Sequence, residues 1–544
     1  MPGSRRARVI MVQGTMSNVG KSLLVAGLCR VLAQDGLRVA PFKSQNMALN
    51  SGVTADGLEM GRAQILQAQA AGVEPDVRMN PILLKPTSDV GSQVIVCGRP
   101  VAMMRAGEYF RYKRELVPTV MRCFDELAAT HDAIVIEGAG SPAEINLKAD
   151  DIVNMGLARM VGAPVLLVGD IDPGGVFAQL YGTLQLLEPQ ERAMVRGLVV
   201  NKFRGDVDIL HPGLAQLEEL CGVPVLGVLP HLTLDLDDED SLSPRLAARA
   251  FRAPGGSPEP ALDVAVIRLP RLSNFTDFAP LERHPLVAVR YVERACELGR
   301  PDLLVLPGTK ATLVDLTWMR ERGLDRCVRA LAAQGTPTIG ICGGYQMLGE
   351  LLEDPHGVEG PAGERAEGLG LLPAMTRFAP EKRLGLTRAV LTPSGASAGD
   401  LPFASPAAGR AARPAAGPGF FSCLAGLALE GYEIHMGETR PSSAAGLGSI
   451  LATVCAGDLD ACDPRLVGLA YGNVLGTYLH GLFDAPGVVE RLVDALLERR
   501  GLPPADLPVE PASAVRDREL DRLSDAVRAH LDLPAIHRIM EEGV

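Results

Sequence analysis

The chain has 544 residues, of which 47% are apolar and 22% charged, and a formal net charge of −12. That length exceeds what one hydrophobic core holds and predicts two or more domains. The composition excludes a disordered chain, and the negative balance excludes a nucleic-acid-binding surface as the main role.

No stretch approaches the roughly 20 apolar residues of a membrane span. The apolar run after the basic N-terminus breaks at Gln13 after about five residues, too few for a secretory signal. Ten cysteines without paired, zinc-like spacing read as reduced thiols of a cytoplasmic protein.

The first elements are short apolar runs, "RVIMV", "RVAPF", "DAIVIEGAG", "APVLLVGDID" and "RGLVVNKF", separated by Ala/Leu-rich segments of helical length. This alternation predicts βαβ units around a mostly parallel sheet, extending to about residue 230. The first run leads into "GTMSNVGKS", Gly14 to Ser22, followed by the helix-like "LLVAGLCRVLAQDG". Glycines that let backbone N–H groups face phosphate, a lysine for the β- and γ-phosphates and a hydroxyl for Mg2+ are the parts of a P-loop. Gly14, Thr15, Gly20, Lys21 and Ser22 are therefore expected to bind ATP, in the longer loop variant with five residues between the two glycines.

Glu137 closes the run of "DAIVIEGAG" and, with Ser22, is the expected Mg2+ carboxylate. Asn201, at the end of "VVNKF", is a candidate for the adenine edge. Lys43 follows the second run, at the rim where a cation faces the ligand crevice, and Ser44, Gln45 and Asn46 follow it as polar groups at the strand end, candidates for touching a ligand there.

The stretch from 233 to 260, acidic and then rich in Pro and Gly, reads as a linker. Alternation resumes from 261 with "LDVAVIRL", "PDLLVLPGTKAT", "PTIGICGG" and "GNVLGTYLHGLF". In "TIGICGGYQMLG", Cys342 stands on a strand-to-helix bend among glycines, the form of a nucleophile elbow. The helix N-terminus beside it favours the thiolate. His480 lies just past a glycine-punctuated strand and is the candidate base. Backbone donors for an oxyanion are expected at Gly308 and Gly343. An Ala/Pro/Gly-rich insertion near 393–419 reads as a surface loop, and 496–544 as a helical C-terminal tail. The expected domains are thus 1–232, the linker 233–260 and 261–495, followed by the tail.

"GICGGYQMLG" with "GTYLHGLF" resembles the class I glutamine amidotransferases, a flavodoxin-like α/β fold. "GTMSNVGKS", "IEGAG" and "NKF" resemble the dethiobiotin-synthetase-like amidoligases, P-loop NTPase-like α/β proteins. In this order, and with "KSQNMALNS", "MNPILLKPTSD", "EINLKADDIVNMG", "RLPRLSNFTDF" and "GYEIHMGET", the chain is similar to the cobyric acid synthase family.

The resemblance implies that Cys342 releases ammonia from glutamine, with Gln346 helping to hold that glutamine. It implies that ATP and Mg2+ activate a carboxylate as an acyl phosphate at the P-loop. The implied acceptor is adenosylcobyrinic acid a,c-diamide, a corrin polycarboxylate amidated at b, d, e and g. Cobalt arrives with the corrin, so no protein-bound cobalt is expected, nor any nucleic-acid or membrane partner; homo-oligomerisation stays open. Glu144 and Asp151 are candidates for Mg2+ or the acceptor, or else cap the following helix.

One departure stands out. Class I amidotransferases carry His-x-Glu, whereas His480 is followed by Gly481 and Leu482. Another group or a water has to orient the ring, or glutamine hydrolysis is slow. The alternatives are the sister enzyme amidating the a and c carboxylates, CTP synthase, and a partitioning-type ATPase switch. Such a switch has no use for Cys342, and Met16 stands where its extra lysine would be.

Overall fold

The computed structural model describes residues 7–87, 91–236, 261–391, 419–442, 449–453, 466–505 and 507–544, with no side-chain description for 449–453. The expected linker beyond 236 and the expected insertion up to 418 lie outside the described residues. The chain divides into two compact units. One comprises Met1–Thr54, Leu58–Glu239 and Ser513–Val544, the other Ala55–Gly57 and Asp240–Ala512.

In the first unit the strands are β1 (Arg8–Gly14), β2 (Val39–Phe42), β3 (Ala133–Glu137), β4 (Val165–Asp170), β5 (Val195–Phe203) and β6 (Val225–Pro230). They form one sheet in the order β6-β5-β4-β1-β3-β2, parallel throughout. Both faces are covered, which is why β3 and β4 are buried along their whole length and read as unbroken apolar runs. All five N-terminal strand expectations fall on β1 to β5. The loop after β2 feeds a small four-stranded sheet made of Gln45–Met47, Ile82–Pro86, Gly91–Val96 and Arg99–Arg105.

The end of the chain completes this unit. Helix Ala512–His530 buries Leu520, Leu523 and Val527 in the cluster that holds Leu24, Leu28 and Val31 of helix Lys21–Gln34. Gly27 permits the approach: a Cβ there would stand 2.8 Å from Val527 Cγ2. Arg528 reaches Asp35 at 2.7 Å, and Asp532 N donates to the Leu226 carbonyl of β6. Residues 513–544 therefore do not stand apart as a tail; they cover a face of the first unit's sheet.

The second unit holds β7 (Leu262–Ile267), β8 (Val287–Val292), β9 (Leu303–Leu306), β10 (Thr338–Ile341) and β11 (Val474–Thr477). Their order is β8-β7-β9-β10-β11, all parallel. Numbered within the unit this is 2-1-3-4-5, the flavodoxin-like arrangement, whose ligands sit beyond the carboxyl ends of the strands. A largely antiparallel extension continues from β11, including the long paired strands Ala374–Leu391 and Ala428–Pro441. Strand Ala428–Pro441 is the one that approaches the elbow.

Candidate active sites

The second unit assembles a site at the C-terminal ends of its strands. β10, TIGI, is wholly buried, and the chain leaves it through Cys342 at φ 50°, ψ −109° before helix Gly343–Leu348. A positive φ at a non-glycine residue costs of order 1–3 kcal/mol and persists only where the surroundings enforce it. Here the enforcement is steric. A Cβ at Gly344 would come within 2.0 Å of the Leu306 carbonyl, and one at Gly343 within 2.6 Å of Thr309 Cγ2. Cys342 N also donates to Thr477 O of β11 at 2.8 Å. The thiol lies 3.4 Å from the carbonyl oxygen of Ile434, in strand Ala428–Pro441.

His480 follows β11 and is buried. Its Nδ1 lies 2.7 Å from Asp277 Oδ2, while Asp277 Oδ1 accepts the Gly481 N–H at 3.1 Å. Asp277 sits in the short turn Phe275–Phe278 beyond β7 and is itself buried. With Nδ1 engaged by the carboxylate, the other ring nitrogen is the one left for the thiol. Tyr432 stacks on the ring, centroids 5.3 Å apart. Burial alone would lower the imidazole pKa, but the charge of Asp277, its hydrogen bond and the hydrogen bond with Cys342 outweigh it and raise the pKa to about 10. A cysteine, an imidazole and a carboxylate thus stand in the relation of nucleophile, base and orienting group.

Asp277 answers the missing His-x-Glu. The orienting carboxylate is supplied 203 residues upstream of the histidine. Sequence reading missed it, although the segment "RLSNFTDF" carries the one sign available, an acidic residue flanked by Phe275 and Phe278.

Gly308 packs against this histidine, for a Cβ there would lie 3.3 Å from His480 Cε1. Gln346 is buried and its amide is fully engaged. Nε2 donates to Met436 O and the Tyr478 hydroxyl, and Oε1 accepts from Thr312 Oγ1. It ties the elbow helix to its surroundings within one turn of Cys342.

The first unit builds its site at the end of β1. Gly20 adopts φ 93° and helix Lys21–Gln34 begins immediately after it. Lys21 Nζ donates to Met16 O at 3.0 Å and Gly140 O at 3.2 Å, so the lysine bridges the loop and the end of β3. Gly14 must be glycine, since a Cβ would meet Val19 at 2.5 Å. Thr15 N donates to Val168 O, continuing the β-pairing, and its hydroxyl donates to Gln179.

Glu137 is the hub of a buried network. Its Oε1 accepts from Ser22 Oγ at 2.9 Å and pairs with Lys43 Nζ at 2.7 Å; its Oε2 accepts from Gln67 Nε2 at 2.5 Å. Hydroxyl and carboxylate oxygens brought together beside a helix N-terminus fit a hard divalent cation such as Mg2+, and the loop's backbone donors fit phosphate oxygens.

The remaining expected residues divide. Asn201 Nδ2 donates to Val19 O at 2.7 Å, bracing the loop itself. Ser44 and Asn46 are buried and hold Ile152 O and Gln64 respectively, which leaves Gln45, half-buried and bonded to Tyr109, as the member of that trio nearest solvent. Asp151 caps helix Met155–Val161: Oδ1 accepts from Val153 N and Asn154 N, Oδ2 from Gly156 N. Both oxygens are engaged by backbone donors, which is the capping arrangement. Glu144 is exposed near Gly140. Among the described residues no cluster of three or more His, Cys, Asp or Glu forms a ready metal centre, and no helix is long and apolar enough to cross a membrane.

Comparison with known proteins finds a family match for each unit. Residues 10–240 match the CobQ/CobB/MinD/ParA nucleotide-binding domain and residues 263–488 the CobB/CobQ-like glutamine amidotransferase domain. A nucleotide-binding unit joined to a glutamine amidotransferase unit defines a glutamine-dependent amidoligase. Three relatives cover nearly the full length. The cobyric acid synthase of Lachnoclostridium phytofermentans is 50% identical over 99% of this chain and 100% of its own. That of Sorangium cellulosum is 53% identical over 98% and 99%, and that of Klebsiella pneumoniae subsp. pneumoniae 49% over 98% and 98%. The chain belongs to the cobyric acid synthase family.

Proposed function

We propose that this chain amidates the b, d, e and g carboxylates of adenosylcobyrinic acid a,c-diamide, using glutamine as amide donor and ATP to activate each carboxylate as an acyl phosphate. Amidation in cobalamin biosynthesis accords with its family. The observation that carries the fuller reading is the presence in one chain of a Cys342–His480–Asp277 arrangement and a Ser22–Glu137 pair on a P-loop.

At the first centre Asp277 holds His480, which takes the thiol proton and later delivers it to the departing nitrogen. The amide N–H of Gly343 and the backbone at Gly308 face the developing oxyanion, and water then clears the thioester. At the second, Lys21 and the loop amides hold the phosphates while Lys43 offsets charge beside Glu137. Mg2+, held by Ser22 and Glu137, would neutralise phosphate charge there. The corrin binds near Gln45 and Glu144, and the reaction belongs to the cytoplasm.

The test offers the purified chain ATP, glutamine and each corrin acid in turn, with product mass spectrometry counting the amides added. Amidation of the a,c-diamide but not of the unamidated acid is expected. The reverse preference would assign the chain to the a,c-diamide-forming step, and no ATP consumption with either acceptor would overturn the proposal.

A further inference from the structure

Outside both centres, two thiols meet. Strands Gly91–Val96 and Arg99–Arg105 pair as a hairpin with Val96 opposite Arg99, leaving Cys97 and Gly98 as a two-residue turn with φ 45° and 76°. Positive φ at both positions is the type I′ geometry, for which Asn, Asp and Gly are favoured. Cysteine there is a strained choice with no local side-chain benefit.

The turn is held in place from two sides: Cys97 N donates to Pro81 O at 2.7 Å and Gly98 O accepts from Glu59 N at 3.2 Å. Its half-buried Sγ lies 3.8 Å from Sγ of the buried Cys123, on helix Val117–Thr130. A disulfide requires about 2.05 Å, so a small movement of one hairpin tip would close the gap.

We infer that Cys97 and Cys123 are a peroxide-oxidisable thiol pair, with Cys97 the attacking sulfur and Cys123 the resolving one. The Cys97 thiolate attacks a hydroperoxide. The O–O bond breaks, two electrons pass from sulfur to the peroxide, and Cys97–SOH and an alcohol or water result. Cys123 then attacks the sulfenic sulfur, an S–S bond replaces the S–O bond, and the thiol proton leaves with hydroxide as water. The assignment of roles follows exposure and charge. Cys97 is the half-exposed member, and the hydrogen bond with Cys123 together with the nearby Arg122 guanidinium lowers its thiol pKa against the opposing effects of burial and Glu126. Cys123 is buried and its thiol is pushed up, which suits it to wait protonated. The product would staple the hairpin tip to the helix.

The test treats the full chain with equimolar hydrogen peroxide, alkylates remaining thiols and maps unreduced peptides. The expected result is a Cys97–Cys123 cross-linked peptide that dithiothreitol removes, and, in Cys123→Ser, a sulfenic acid at Cys97 trapped by dimedone. Before oxidation, Cys97 should alkylate at pH 7 about tenfold faster than Cys221, whose thiol burial pushes up. Full alkylation of both thiols after peroxide, or sulfinic acid at Cys97 without a cross-link in the unmodified chain, would overturn the inference. Because the cross-link is sought in the wild-type chain, the result stands even if a variant folds poorly.

Discussion

The two centres of this chain both lie beyond the carboxyl ends of parallel strands, yet they hold their charges differently. Around Cys342 the groups are already in working relation. The sulfur stands on an enforced bend, the imidazole beside it, and Asp277 fixes the far side of the ring at 2.7 Å. Around the P-loop the charged groups are spent on one another. Glu137 is bound by Lys43, Ser22 and Gln67, and Lys21 by two carbonyls. A site for a neutral amide can be built complete from protein groups, because its substrate brings no charge to the reacting atoms. A site for a polyphosphate and a cation needs internal partners that exchange when those ligands arrive, since a buried unpaired charge costs several kcal/mol.

This contrast can be broken by mutation. The largest effect is expected for Cys342→Ala, which should lower glutamine-supported amidation by about 10^4-fold or more while ammonia-supported amidation persists. Loss of both in assays with each nitrogen source would mean the two centres are not separable. Lys21→Ala should lower both activities by on the order of 10^2–10^3-fold, the loss typical of one electrostatic donor to a reacting phosphate. Equal ATP turnover in variant and wild type would remove Lys21 from the phosphate site.

Asp277→Asn sharpens the comparison on the glutaminase side. Glutaminase kcat should fall about 10^2–10^4-fold with ammonia use intact. The same variant carries a pH signature. His480 has a folded pKa of about 10 against about 6.5 when unfolded, so its contribution to stability is fully present below about pH 6.5 and is lost as pH rises through 10. Denaturant midpoints taken from pH 6 to pH 10 should therefore fall less in Asp277→Asn than in wild type. The smallest catalytic consequence is expected from Leu523→Ala. It removes a side chain buried against helix Lys21–Gln34 and should destabilise the first unit by about 2–5 kcal/mol with the ratio of glutamine-supported to ammonia-supported turnover unchanged. An unaltered melting profile would show that this helix contributes nothing to the first core.

Much of this is legible in the residues alone. β1 to β4 are buried almost throughout and β5 over most of its first six residues, so they announce themselves as apolar runs, and the P-loop and the elbow depend on glycines whose local reasons survive in short motifs. What sequence hid was pairing at a distance. Glu137 and Lys43 are each readable as rim residues, but their 2.7 Å contact joins two strand ends 94 residues apart. Asp277 is invisible to any rule that seeks the third catalytic group two residues after His480, because the fold brings it from the end of β7. Asp151 was ambiguous for the opposite reason: a carboxylate before a helix satisfies capping and ligand rules alike, and only the fold shows the three backbone N–H groups it accepts from. The final helices look self-contained by periodicity, since an amphipathic stripe does not name the surface it covers.

That last feature has a consequence for biogenesis. The ribosome makes the nucleotide-binding sheet first and the helices that seal one of its faces last, with about 270 residues between Glu239 and Ser513. At roughly 5–20 residues per second, the apolar surface of helix Lys21–Gln34 is left uncovered on the nascent chain for on the order of tens of seconds. The interval is a window for chaperone capture, and supplying residues 513–544 as a separate peptide during synthesis is a direct way to close it early.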